Sequence, residues 1–345
     1  MKKLNIGIFI DIFYPMIDGV VKVADNYARR LSKVANVTVF TCKNFVKGEY
    51  TDDFPYKVVR CKSIPIGYAS YVLATPNQDS AFKKQLRESN LDIVHIHSPF
   101  TMGNAGLAYA KRHKIPCIST FHSQYRKDID SITHNDLLTN IALAFIMPIF
   151  NQCTVCYTMN NFCKNILQSY GCKNKIEIVR NASDLIVLKT KEEYIQLANE
   201  KHSLQENDFV MLYVGRLYAL KNIFLILEAC KLLHESGITF KFYYVGTGIE
   251  ESKLKKLITK YNLTTCVFLL GSITNQEELL SLYARANIFV FPSNYDTDGI
   301  VKIEAASVNT PTICLKNSAA ASFIVDNYNG FLVENSASNL CAKII

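Results

Sequence analysis

Residues 210–222 read VMLYVGRLYALKN, and the change of character at Gly215 decides the fold. Val210–Val214 is an apolar run with no polar alternation, so a strand there is apolar on both faces. A glycine closes it, Arg216 and Lys221 follow, and Asn222–Glu235 then has the length and apolar spacing of a helix. A strand apolar on both faces and followed by a helix is the repeating unit of a parallel sheet covered by helices.

The same unit recurs on either side. Before it, strands are predicted at Leu4–Ile10, Asn36–Thr41, Lys57–Cys61, Ile93–Ile96, Cys117–Phe121, Thr154–Thr158 and Ile176–Val179. Helices are predicted between them at Val21–Val34, Asp79–Ser89, Asn104–His113, Asp136–Phe150 and Asn161–Tyr170. After it come strands at Lys241–Val245, Cys266–Leu269, Ile288–Phe291 and Thr312–Cys314, with helices at Glu250–Tyr261, Gln276–Ala284 and Gly299–Val308. The polar, charged stretch Lys189–Asp208 interrupts the alternation. The chain has 345 residues, more than the ~250 one core usually supports. The expectation is therefore an α/β protein of two Rossmann-like doubly wound domains, residues 1–187 and 188–345, facing across a cleft. In such sheets ligands sit at the carboxyl ends of the strands.

Composition narrows the classes. Hydrophobic content of 49% with 20% charged residues suits a globular protein, and no window reaches the ~18 apolar residues of a membrane span. The longest apolar run, Ile141–Phe150, is interrupted by Pro148. The N-terminus MKKLNIGIFIDIF lacks a small-residue cleavage site and carries Asp11 in its apolar core, so it reads as a first strand and the expected location is cytoplasmic. Eleven cysteines in such a chain read as free, mostly buried thiols. Cys153 and Cys156 have the gap of redox and zinc sites, but they lie in a strand-like run with no second pair, which favours core packing.

Charge is uneven. Residues 1–185 carry 23 Lys and Arg against 14 Asp and Glu, a balance of +9, while residues 186–345 carry 15 against 16, a balance of −1. A basic half suits an anionic membrane surface, an anionic acceptor, or plain solvation. Nucleic acid is disfavoured, since there is no Trp and no aromatic-basic interleaving.

The loops after the strands carry the chemistry. Asp11–Val21, DIFYPMIDGVV, brings Gly19 to a helix start, where backbone amides are open to a ligand, although a plain turn reads similarly. It is not G-x-G-x-x-G, which disfavours a nicotinamide dinucleotide. In DIVHIHSPF, residues 92–100, His95 and His97 share one face of a strand, either as ligands or as ordinary buried histidines, with no third ligand apparent. His122 follows the strand Cys117–Phe121, where cleft residues are expected. Arg216 and Lys221, between a strand end and a helix start, suit a diphosphate, against the alternative of two solvated charges. Gly246, in VGTGI, marks another strand-to-helix turn that says little alone.

Residues 291–307, FPSNYDTDGIVKIEAAS, contain Asp296-Thr297-Asp298, the Asp-x-Asp of metal-dependent sugar transfer. Gly299 opens a helix whose amides at Ile300 and Val301 a phosphate could approach. Glu304 lies further along it, where a carboxylate can accept from two ribose hydroxyls; a solvent-facing glutamate is the alternative.

Taken in order, these segments resemble the retaining glycosyltransferases of family 4, which have the GT-B fold. The resemblance rests on Asp18-Gly19-Val20-Val21, DIVHIHSPF, TFHSQY with His122, Asn181-x-x-Asp184, Gly215-Arg216-Leu217 with Lys221-Asn222, VGTG with Gly246, SLYARANIFVFPS, and a carboxylate eight residues ahead of Glu304. It covers nearly the whole chain. It implies sugar transfer from a nucleotide diphosphate sugar, with the acceptor (a sugar, a lipid or a polyprenyl-linked glycan) on the first domain and the donor on the second. It implies Arg216 and Lys221 on the diphosphate, Glu304 on the ribose, His122 on the donor sugar and Asp296 as the acid end of a donor-sugar motif. Gly19, Gly215, Gly246 and Gly299 are the implied close-approach points, with the Gly299–Val301 amides at the departing phosphate. No metal and no cofactor are implied: cations and helix amides take a metal's place. Asp298 then becomes an incidental neighbour of Gly299.

Four departures stand out. Asp296 replaces the usual Glu, Asp18-Gly19 a usual glycine pair, and Asn181-Ala182 a usual Asn-Gly. The chain also stops at Ile345, ahead of the family's usual C-terminal helix. Competing readings are a nucleotide-sugar epimerase of the same fold and a non-catalytic sugar-nucleotide-binding subunit of a glycosyltransferase complex. The acceptor expectation, a membrane lipid or a surface-polysaccharide intermediate, adds a peripheral position on the inner membrane face to the cytoplasmic one.

Overall fold

The computed structural model describes residues 3–16, 18–43, 52–65 and 72–345. Ile17, inside the first-strand loop, lies outside the described residues. The chain divides into two compact units, Met1–Arg180 and Asn181–Ile345, a few residues ahead of the boundary placed at 187/188 from the sequence.

In the first unit, strand β1 (Asn5–Phe9) leads through helix α1 (Gly19–Leu31) to β2 (Asn36–Cys42) and β3 (Lys57–Cys61). A small antiparallel pair, β4 (Ser63–Pro65) and β5 (Val72–Ala74), precedes α2 (Ser80–Glu88). The chain then alternates through β6 (Ile93–Ile96), α3 (Thr101–His113), β7 (Cys117–Thr120), α4 (Tyr125–Thr133), α5 (Asp136–Gln152), β8 (Val155–Thr158), α6 (Asn161–Ser169) and β9 (Ile176–Ile178). Seven strands form one parallel sheet in the order β3-β2-β1-β6-β7-β8-β9. Side chains alternate across β1, so Ile6 and Ile8 pack with Val21 and Ala24 of α1, while Phe9 packs on the other face with Phe40, Phe82 and Met102. Cores on both faces explain why the strands read as continuous apolar runs.

The second unit repeats the scheme. It contains α7 (Lys191–His202), β10 (Val210–Val214), α8 (Ile223–Glu235), β11 (Lys241–Val245), α9 (Glu251–Lys260), β12 (Val267–Gly271) and α10 (Gln276–Arg285). It closes with β13 (Ile288–Phe291), α11 (Ile300–Ser307), β14 (Thr312–Leu315), β15 (Gly330–Val333) and α12 (Ala337–Ile344). The sheet order is β12-β11-β10-β13-β14-β15, all parallel. In each sheet the order reverses once, between β1 and β6 and between β10 and β13. A crevice forms at such a reversal because successive crossovers leave in opposite directions.

Three readings are corrected. The stretch taken as a charged connection holds α7, capped by Thr190 and Glu193 in a reciprocal box and packed on α10 through buried Tyr194 and Ala198. α4 was not expected either. Cys153 ends α5 rather than lying in a strand, with its Sγ 3.4 Å from that of Cys117. All eleven cysteines are free and buried. The helix expected at Asp136–Phe150 is present as α5, which runs through Pro148 to Gln152.

Candidate functional site

At the β10/β13 reversal two loops meet. The first, after β10, runs from Gly215 to Asn222, and the second, after β13, from Pro292 to Gly299. Lys221 and Asp296, expected separately from the sequence, touch here through Lys221 Nζ and an Asp296 carboxylate oxygen. Lys221 is buried, and its ammonium also lies 5.1 Å from the ring centroid of Tyr295. Asn222 holds the turn. It adopts φ +57°, and its side-chain amide donates to the Pro292 carbonyl at 2.9 Å, tying one loop to the other. Buried Ser293 accepts from the Tyr295 and Asp296 amides at 3.2 and 3.3 Å, which fixes Asp296 from behind. Arg216 is exposed at the head of the first loop, and its carbonyl accepts from the Tyr213 hydroxyl at 3.0 Å.

The glycines have distinct reasons. A Cβ on Gly246 would lie 2.0 Å from the Gly215 carbonyl oxygen, at φ +132°, so the loops after β10 and β11 abut through bare backbone. Gly299 caps α11 at φ +78°, and a Cβ there would meet Phe291 at 2.6 Å. Gly19 differs: a Cβ on it meets nothing within 4 Å, so packing does not require it. The start of α1 is already capped by Asp18, which accepts from the Val21 amide at 2.8 Å.

Ile300 and Val301 are the first residues of α11, and Glu304 sits one turn on. Glu304 is buried rather than solvent-facing, and the buried Tyr283 hydroxyl donates to it at 2.9 Å. Burial and this carboxylate push the Tyr283 phenol well up. Asp298 is not incidental. It is 3% exposed, lies 3.1 Å from the ammonium of equally buried Lys302, and accepts from the Asn181 amide at 3.1 Å. Lys302 also donates to the Ala320 and Ser322 carbonyls. The two acids of Asp296-Thr297-Asp298 thus serve two different lysines. Among the described residues no group of three His, Cys, Asp or Glu side chains is arranged to hold a metal ion.

In the first unit the β1/β6 reversal holds a different set. Asp11, after β1, is buried and accepts from Thr101 Oγ1 at 2.8 Å and the Met102 amide at 3.1 Å, capping α3 with one oxygen. Its other oxygen has no partner among the described residues, and burial raises its pKa to about 6. His122, beyond β7, is buried beside His97 beyond β6: His97 Nδ1 and His122 Nε2 are 2.9 Å apart. His95 reaches Thr120 Oγ1 at 2.7 Å, and Tyr27 of α1 packs edge-on against both His95 and His97. Burial lowers all three histidines, His95 and His122 to about 3, so the rings are neutral.

Sequence reasoning missed Tyr283, Tyr295, Ser293 and the Asn181–Asp298–Lys302 set. Tyr283 lies within the quoted run SLYARANIFVFPS, but nothing in its spacing pointed to Glu304.

Two family models match the chain. One described as Glycosyltransferase Family 4 covers residues 17–186, and one described as Glycosyl transferases group 1 covers residues 195–345. Similar curated proteins include an alpha-monoglucosyldiacylglycerol synthase from Acholeplasma laidlawii, 25% identical over 95% of this chain and 84% of its own length. A Streptococcus pneumoniae protein of the same name is 24% identical over 95% and 75%. Among solved structures, Anabaena HepE in complex with UDP and glucose superposes with a TM-score of 0.78 at 16% identity, over 99% of this chain and 89% of that one. A sucrose-phosphate synthase from Thermosynechococcus elongatus gives 0.79 at 19%, over 99% and 89%. At these identities the two structures speak for the fold.

Proposed function

The chain belongs to the group 1, family 4 glycosyltransferases of GT-B fold, and from that premise we propose that it moves a sugar from a nucleoside diphosphate sugar to a lipid acceptor, with retention and without a metal ion. The observation carrying this reading is the junction at the β10/β13 reversal, where Lys221, Arg216 and the start of α11 are gathered at the carboxyl ends of two neighbouring strands. A diphosphate needs cations and open amides, and this place offers both.

In the proposed mechanism Lys221 and Arg216 hold the diphosphate, and the amides of Ile300 and Val301 face the phosphate that gains charge. The bond from the anomeric carbon to the phosphate oxygen breaks as the acceptor oxygen bonds to that carbon on the same face. The acceptor's proton passes to the departing phosphate. The Asp296 contact holds the Lys221 ammonium in place before the ligand arrives, so little reorganisation remains for the transition state. Glu304, steadied by Tyr283, is the proposed ribose contact, and His122 the donor-sugar contact. Metal independence is supported by the pairing of Asp296 and Asp298 with separate lysines.

A lipid acceptor is supported by the two diacylglycerol-named relatives and by α5. From Leu137 to Gln152 this helix has no charged residue, yet Leu137, Leu138, Ile141 and Phe145 are exposed, Phe145 by 76%. An apolar face on a helix normally lies buried. Cations flank both ends: Arg126 bonds Asn140 and lies 3.9 Å from Asp136, and Lys111 bonds Gln152. An apolar centre with a basic rim fits an anionic membrane surface. No helix among the described residues is long and apolar enough to cross a membrane. The test is product analysis: protein, a panel of nucleotide sugars and diacylglycerol vesicles are incubated with a chelator, and the product anomer is read by NMR. The reading expects a glycolipid with the donor's own anomeric configuration. An inverted product, or none unless a divalent ion is added, would overturn it.

A further inference from the structure

The His97–His122 pair carries more than packing. Neutral imidazole has one N–H and one bare nitrogen, and the contact between His97 Nδ1 and His122 Nε2 uses one of each. His97 Nε2 is buried and has no hydrogen-bond partner among the described residues. Two proton arrangements are then available. If His122 donates from Nε2, the one proton of His97 must sit on Nε2 as a buried, unpartnered N–H. If His97 donates from Nδ1, its Nε2 is a bare nitrogen, and what lies unpartnered is an acceptor. Orphaned buried N–H groups are rarer than under-satisfied acceptors, which favours the second arrangement.

We propose that His97 is a positioning residue that donates from Nδ1 to His122 Nε2 and so locks His122 in the tautomer carrying its proton on Nδ1. His122 therefore meets its ligand as a hydrogen-bond donor, suited to a sugar hydroxyl oxygen, and not as a base. The ring planes differ by 16°, with centroids 4.9 Å apart, and the two facing nitrogens are 2.9 Å apart. His95 contributes by wedging: its ring centroid is 4.1 Å from that of His97, and its own Nε2 is held by Thr120. The low pKa values of all three rings keep this arrangement uncharged at neutral pH. The inference rests on the donor-sugar contact proposed for His122.

Long-range proton–nitrogen NMR on histidine-labelled protein reads the tautomer directly. The expected spectrum shows His122 protonated at Nδ1 and bare at Nε2; an Nε2–H tautomer overturns the proposal. In His97→Phe the fixed pattern of His122 should be lost, and kcat should fall by about tenfold to a hundredfold, as happens when the partner orienting a functional histidine is removed. His97→Asn, which can place an amide N–H where Nδ1 was, should restore the Nδ1–H pattern and much of that loss. If Asn and Phe are equally impaired while the wild-type pattern survives in both, His97 does not set the tautomer. If the pattern is lost in His97→Phe but transfer is unchanged, the tautomer assignment stands and the donor-sugar role of His122 falls.

Discussion

The two units reverse their strand order at the same topological place and fill it with opposite electrostatics. At the β10/β13 reversal, Asp296 meets a lysine and Asp298 another, so these two carboxylates are met by cations. At β1/β6, Asp11 has backbone and hydroxyl donors but no cation paired with it among the described residues, and the neighbouring histidines are neutral. The topology provides a crevice in each; the residues decide what it can bind. A site with fixed cations suits a diphosphate, while a site of neutral donors and acceptors suits hydroxyl groups.

The largest effect that could break this contrast is at Lys221. Lys221→Met should lower kcat by about 10²–10³, the usual loss when one group stabilising the leaving charge is removed. Steady-state kinetics checks it, and near-normal turnover would remove the cation from the account.

Asp298→Ala comes next, as a loss of stability. It strands the buried Lys302 ammonium and should cost about 3–5 kcal/mol in urea unfolding. Replacing both partners by apolar residues, Asp298→Leu with Lys302→Met, should recover most of it. Asp296→Ala, at a half-buried site, should hurt stability less and turnover more.

The neutral site predicts pH behaviour. Unfolded histidines take up protons below about 6.5, whereas the buried rings resist until about 3, so their contribution is complete above 6.5 and lost on acidification. Asp11 acts the other way: folded, it holds its proton up to about 6, while the unfolded chain releases it near 3.8. Its contribution therefore falls as pH rises between those values. Three rings outweigh one carboxyl, so the melting temperature should drop from pH 7 to pH 5. Asp11→Asn should raise stability at pH 8, by on the order of 1–3 kcal/mol, and make the acid decline steeper. A variant with an unchanged pH profile would contradict the buried, cation-free carboxyl.

The smallest expected effect is at the surface of α5. Phe145→Glu should leave the melting temperature within about 1 °C, as surface changes usually do. It should weaken co-sedimentation with anionic vesicles; undiminished binding would move the membrane contact elsewhere.

Much of this was legible in the sequence. Strands apolar on both faces announced parallel sheets, and the glycine turns after them marked the loops that carry Lys221, Asp296 and His122. What escaped were features without periodicity. α7 is too polar to show an apolar face, although Thr190 and Glu193 spell a capping box three residues apart. The partnership of Asp298 with Lys302 is an i,i+4 pair, visible in principle, but its burial is set by the 319–323 segment folding over it. The histidine chain joins residues 25 positions apart through adjacent strands, a register that only the sheet reveals.

The central claim is that side chains at the β10/β13 reversal hold a nucleoside diphosphate unaided. Calorimetric titration of UDP and GDP into the full chain, with and without a chelator, tests it most directly. One of them should bind equally well in both conditions, and Lys221→Met should abolish the binding. Binding that disappears with the chelator, or survives intact in Lys221→Met, would contradict that claim.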